Sequence, residues 1–189
     1  MTRRTSSYAA VIGVVLAASV FYTGAAFAET TVKVGGALMY PSKNIIENAV
    51  NSKDHTTLVA AVKAAGLVDT LITPGPFTVF APVNKAFNKL PKGTVDTLLK
   101  PENKGTLTAV LTYHVVAGKH SAAELMSEVK AGGGKATLKT VQGGTLTVVQ
   151  DGRKLDIIDA KGDRSTVTIP DVNQSNGVIH VVDTVLLPQ

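Results

Sequence analysis

Thr145-Leu146-Thr147-Val148-Val149-Gln150-Asp151-Gly152-Arg153-Lys154-Leu155-Asp156-Ile157-Ile158 decides the fold class. Leu146 and Val148 alternate with polar neighbours, the period-two pattern of a strand with one buried face. Asp151-Gly152 then supplies the two residues that most readily adopt the positive backbone angles of a tight hairpin turn, leading into the strand Leu155–Ile158. Working outward, Ala136, Leu138 and Thr140 alternate in the same way. Thr166 to Ile169 reads as another strand, and Asn176-Gly177 turns the chain into Val178–Val182. The change of period falls at Gly132-Gly133-Gly134, with strands after it and mostly helices before it.

Upstream, the segment opened by Pro41-Ser42 carries Ile45, Ile46, Ala49 and Val50 on one helical face. Asp54 is placed to cap a second helix, in which Leu58, Ala61, Val62 and Ala65 repeat at helical spacing, and Gly66 to end it. Pro74-Gly75-Pro76 precedes Phe77–Phe80, a buried strand. Asn84–Leu90 returns to helix and stops at Pro91, and Thr94–Leu99 and Lys104–Leu111 are two more helical stretches. Ser121 and Glu124 form a capping box. Segregated helices and hairpins predict an α+β domain with a mainly antiparallel sheet rather than a doubly wound α/β domain.

The N-terminus reads as an export signal. Arg3 and Arg4 precede an uncharged, Ala- and Val-rich run from Tyr8 to Phe21, and Ala26-Phe27-Ala28 offers a small-x-small cleavage site before Glu29. Residues 1–28 are therefore assigned to a signal peptide, and contact with the membrane is expected only if it is retained. A twin-arginine reading has little support beyond the Arg pair itself. Cleavage leaves 161 of the 189 residues and lowers the net charge from +5 to +3, because Arg3 and Arg4 leave. Residues 29–40, with Gly35-Gly36 and little periodicity, are expected to be a linker or loose edge segment ahead of a domain spanning residues 41–188. Such a chain is exported, to the periplasm or the extracellular space, and is expected to be a monomer.

Composition excludes several chemistries. There is no Cys, hence no disulfide framework, thiolate metal site or Cys nucleophile. Lys is scattered, and only Tyr40, Phe77, Phe80, Phe87 and Tyr113 are aromatic after residue 28, so no nucleic-acid stripe exists. The four His, at 55, 114, 120 and 180, match no zinc spacing. Asp156, Asp159 and Asp163 lack the Glu that would close a calcium loop and read as a solvated hairpin. The glycines at 132–134 and 143–144 lack a following Gly-Lys-Ser/Thr, which removes a phosphate cradle, and no Ser sits in a Gly-x-Ser-x-Gly elbow. No cofactor and no metal is expected. Asn173-Gln174-Ser175 is a formal glycosylation sequon.

Three blocks in register carry a resemblance. Residues 77–91, from Phe77-Thr78-Val79-Phe80-Ala81-Pro82 to Leu90-Pro91, look like the first signature block of fasciclin domains. Leu111-Thr112-Tyr113-His114-Val115-Val116 resembles their central Tyr-His block, and Asn176–Pro188 their second signature block. Residues 57–67 are similar to the family's opening helices, so the likeness runs from about Pro41 to Pro188. It implies a wedge of about seven mainly antiparallel strands with several short helices packed at its edge. It also implies a non-enzymatic adhesion or interaction module facing a protein or cell-surface/matrix partner. In animal members an Asp-Ile pair before the second block has been linked to integrin binding. The matching pair here is Asp171-Val172, which argues against animal-type integrin recognition and leaves Asp171 to meet another partner. Its neighbours Pro170, Asn173, Gln174, Ser175, Asn176 and Gly177 read as an exposed connection. Tyr113 and His114 match the family's Tyr-His pair, discussed as adhesive; their apolar neighbours favour core residues with internally satisfied polar tips. The alternative function is an envelope small-molecule or lipid carrier or sensor using a cleft between helices and sheet.

Overall fold

The computed structural model describes residues 29–189, so the expected signal peptide lies outside the described residues. The strands expected past Gly134 form a meander: β5 (Lys135–Lys139), β6 (Thr145–Asp151), β7 (Lys154–Ile158), β8 (Arg164–Gln174) and β9 (Gly177–Val182) pair antiparallel in succession. Asp151 faces Lys154 across the Asp151-Gly152 turn, as the hairpin signal requires.

Beyond β9 the order departs from chain order. β3 (Phe77–Pro82) lies parallel to β9, and β4 (Val115–Ala117) pairs antiparallel on its far side, giving the seven-stranded order β4-β3-β9-β8-β7-β6-β5. A bridge between Val116 and Thr140 joins the two ends of this sheet, which curls toward closure and shields its edges.

The near-continuous apolar runs of β3 and β9 follow from cores on both faces. Val79 and Ala81 of β3, with Ile179 and Val181 of β9, face a core built with the helices that precede β4. Phe80, Val182 and Leu186 face a second core inside the curl, with Leu138, Leu146, Leu155 and Ile157. Helix α7 (Ala122–Ala131) covers that second core with Leu125 and Val129, its first turn closed by the expected Ser121–Glu124 capping box. The first core takes α1 (Ile45–Ala49), α2 (Thr56–Ala65), α3 (Val68–Leu71), α4 (Asn84–Phe87), α5 (Thr94–Leu98) and α6 (Lys104–Tyr113). This is the expected α+β wedge of seven mainly antiparallel strands with short helices.

Several local expectations need correction. Residues 29–40 are not a linker: β1 (Val32–Val34) and β2 (Ala37–Met39) form a hairpin, held down because Val34 and Met39 are buried in the first core. Asp54 does not cap α2. The N-cap is His55, and the Thr57 N–H donates to Oδ1 of Asn84, 27 positions along the chain. The α1 face is shorter than expected, because Asn48 is buried and Val50 is exposed. Asp156 and Asp159 are buried rather than solvated. Asp156 accepts from Arg164 and Thr166, and Asp159 accepts from the backbone N–H groups of Lys161, Asp163 and Leu187.

Candidate functional site

The motif residues converge where β3, β9 and the segment leading into α7 meet. Phe80 and His180 are register partners across the parallel pair, and their rings stack with centroids 5.7 Å apart. Thr78, two residues earlier on β3, donates from Oγ1 to the Gly118 carbonyl and accepts from the His120 N–H. Nε2 of His180 lies 2.8 Å from the His120 carbonyl, while Nδ1 accepts from the Asp171 N–H. These two contacts make the ring neutral with its proton on Nε2, and burial lowers its pKa in the same sense.

Asp171 completes this cluster and is not in an exposed connection. It lies within β8, at a register irregularity between Ile169 and Val172, with a left-handed φ of 55°. A bulge of this kind leaves a residue outside the ladder and turns its backbone. Oδ1 of Asp171 accepts from the Ala122 N–H, the first residue of α7, so the carboxylate sits at that helix's positive end. Its other oxygen makes no hydrogen bond or ion pair among the described residues. Asp171 is half-buried, whereas Val172 is only 1% exposed and faces the first core, so its side chain offers a partner no surface. The exposed-loop reading failed because Gln174 and Asn176, polar by composition, are buried and bonded. Gln174 bonds with Asn48, and Asn176 donates to the Leu71 and Thr73 carbonyls while accepting from the Ile45 N–H.

Tyr113 and His114 are separate from this cluster and face inward. Tyr113 is fully buried; its hydroxyl donates to the Thr145 carbonyl and accepts from the Ala160 N–H. His114, 2% exposed at the end of α6, accepts the Leu186 N–H on Nε2, and Nδ1 lies 2.8 Å from the Val110 carbonyl. This neutral ring is held at a pKa of about 4, chiefly by burial. Both residues thus tie the end of α6 to distant strands and loops, with every polar tip taken.

A third feature had no signal in local sequence. An apolar cavity of about 80 Å³ lies between the sheet face carrying Val79 and Ile179 and the helices carrying Leu58, Val62 and Leu71, with Met39 of β2 on its wall. His55 also borders it. Its residues come from positions 34 to 181, so no single window of sequence contains it. Among the described residues, no group of three or more His, Asp or Glu is placed to hold a metal ion, and no helix is long and apolar enough to cross a membrane.

Comparison with known proteins places this architecture. Residues 53–188 match the sequence model of the fasciclin domain. The chain is 47% identical to protein sll1483 of Synechocystis sp. over 164 residues, which cover 85% of this chain and 83% of that protein. It is 39% identical over 145 residues to immunogenic protein MPB70 of Mycobacterium bovis, covering 74% and 66% of the two chains. Cell surface glycolipoprotein MPB83 of Mycobacterium bovis is 36% identical over 145 residues, covering 74% and 58%. A solved fasciclin-domain pair from the insect cell adhesion molecule Fasciclin I superposes with a TM-score of 0.70 at 20% identity, over 84% of this chain and 58% of that one. The chain belongs to the fasciclin domain family.

Proposed function

We propose that the protein is an exported, non-enzymatic interaction module of the cell envelope or extracellular space. The observation that carries this reading is its membership of the fasciclin family, among cell-surface relatives such as MPB83. The site supports it. The polar groups of the Tyr-His block and of His180 are all spent on internal bonds, so they offer a substrate no free base or nucleophile. What they leave outward-facing is the half-buried Asp171 carboxylate, held at a bulge by a rigid sheet. A non-glycine residue with positive φ costs energy and persists where the surroundings impose it, often at functional positions.

Asp171 is accordingly the candidate contact for a protein or cell-surface partner presenting a cationic group. Asp171→Asn separates recognition from folding, because Asn tolerates the same backbone angle and keeps an oxygen for the Ala122 N–H. Retention of the immobilised protein on envelope material is expected to fall at least tenfold in this variant, with a melting temperature lowered by no more than about 4 °C for the charge lost at the start of α7. Equal retention would remove Asp171 from the contact, and failure of the wild type to retain any discrete component would overturn the interaction reading. A second reading, a carrier or sensor of small apolar molecules, is favoured by the cavity beside His55.

A further inference from the structure

Asp171 is joined to a group that can take up a proton. Its left-handed backbone, with a φ of 55°, persists because bonds hold it on three sides. The Ala122 N–H donates to Oδ1, Nδ2 of Asn173 donates to the carbonyl, and Nδ1 of His180 accepts from the N–H at 3.2 Å. The last of these exists only while the ring is neutral. A protonated imidazole carries a hydrogen on both nitrogens. Nε2 keeps its bond to the His120 carbonyl in either state, whereas Nδ1 would turn a donor onto the Asp171 N–H, itself a donor.

The surroundings decide where that new donor goes. β3 stacks the uncharged Phe80 ring on His180. Two titratable side chains act on the ring: Asp171 of β8, whose charge favours protonation, and His120 ahead of α7, whose charge opposes it. On α7 itself, Glu124 is engaged in the capping box and Glu128 lies 3.7 Å from His120, so neither bonds the ring. Asp171 supplies the anion, with one carboxylate oxygen unbonded among the described residues. Burial holds the ring below its ordinary range, so its change of state belongs below about pH 6.5.

We propose that His180 is a proton-operated latch on Asp171. With the ring neutral, the carboxylate faces a cationic partner; with the ring protonated, the bulge turns and the carboxylate closes on Nδ1, withdrawing from that partner. The latch rests on the reading of Asp171 as a contact and adds its regulation, release in acid.

The test follows the exported protein by NMR from pH 7 to pH 4.5, with circular dichroism to confirm that it stays folded. The ring ¹⁵N resonances of His180, the amide of Asp171 and its carboxylate ¹³C should move together at one midpoint. In Asp171→Asn that midpoint should fall to lower pH, because the ring loses its anion. Retention of the wild type on envelope material should drop about fivefold or more over the same range. His120→Gln, which leaves the bonds to His180 in place, should keep that drop. A His180 ring that stays neutral in the folded domain, or that titrates with Asp171 unmoved, would overturn the latch while leaving Asp171 as a contact. A drop abolished by His120→Gln would overturn it too, by assigning the response to His120. Absence of retention at pH 7 would instead remove the contact, and its regulation with it, whatever the resonances do.

Discussion

Lowering the pH should destabilise the domain through His114 before its carboxylates respond. The native ring is neutral and sealed between the Val110 carbonyl and the Leu186 N–H, with a pKa of about 4. In the unfolded chain the same ring takes its proton near pH 6.5. Below that value the unfolded state holds the extra proton and the native state does not, so stability falls as pH drops, until the native ring also protonates near pH 4. With more than 1 kcal/mol per pKa unit, this single group removes about 2–3 kcal/mol between pH 7 and pH 4.5. A domain of this size has only about 5–15 kcal/mol in total, so the loss is large. His180 and His55 are shifted the same way by burial and steepen the wild-type profile. The comparison with His114→Gln therefore isolates the effect. The variant starts about 1–3 kcal/mol less stable at pH 7, with the Leu186 N–H or the Val110 carbonyl imperfectly met, but should lose about 2–3 kcal/mol less on acidification. Urea unfolding at pH 7, 6, 5 and 4.5 with a constant slope measures it. If both proteins lose the same stability across that range, His114 is not buried neutral and the argument fails.

Three further outcomes are expected, two from the geometry and one from the N-terminal sequence. Asn84→Ala should cost about 1–2 kcal/mol in urea unfolding, because Asn84 caps α2 and bonds the Lys53 carbonyl and Thr56 hydroxyl, while Asp54→Ala should stay within about 0.5 kcal/mol. Gly177→Ala should cost about 2–3 kcal/mol, since a Cβ there would run into the Phe77 carbonyl across the parallel strands; a melting temperature equal to wild type would show that β3 and β9 pack less closely than described. Processing at Ala26-Phe27-Ala28 should give an exported species beginning at Glu29, and an intact mass retaining Met1 or Thr2 in the soluble envelope fraction would refute cleavage.

The hairpins from β5 to β9 were legible because strand period and turn chemistry are local properties. Asp151-Gly152 and Asn176-Gly177 name their turns without help from the rest of the chain. The parallel pairing of β3 with β9 is not local. It joins residues about a hundred positions apart, and the apolar runs reveal only that both strands are covered on two faces. The α2 cap was missed for a related reason. Asp54 stands in the conventional place, but its backbone carbonyl is taken by the Asn84 N–H and the helix is capped from Asn84 instead. At Asp171, composition suggested a loop; burial of Val172, Gln174 and Asn176 draws the segment into β8, and the bulge absorbs the mismatch.

These cases share a physical cause that bears on where function lies. The signature residues Thr78, Tyr113, His114, Asn176 and His180 each bond groups from a distant part of the chain, and each buried polar tip is matched. Substituting any of them leaves a partner unmet as well as a void, so these positions resist change through folding alone, whatever the protein binds. A motif of this kind identifies the scaffold and is silent about the ligand. Recognition must then use polar capacity that the fold leaves over. One such group stands out: the second oxygen of Asp171, the contact proposed above. It lies outside the Tyr-His pair, so the sequence pattern that places the chain in its family does not by itself name the proposed contact.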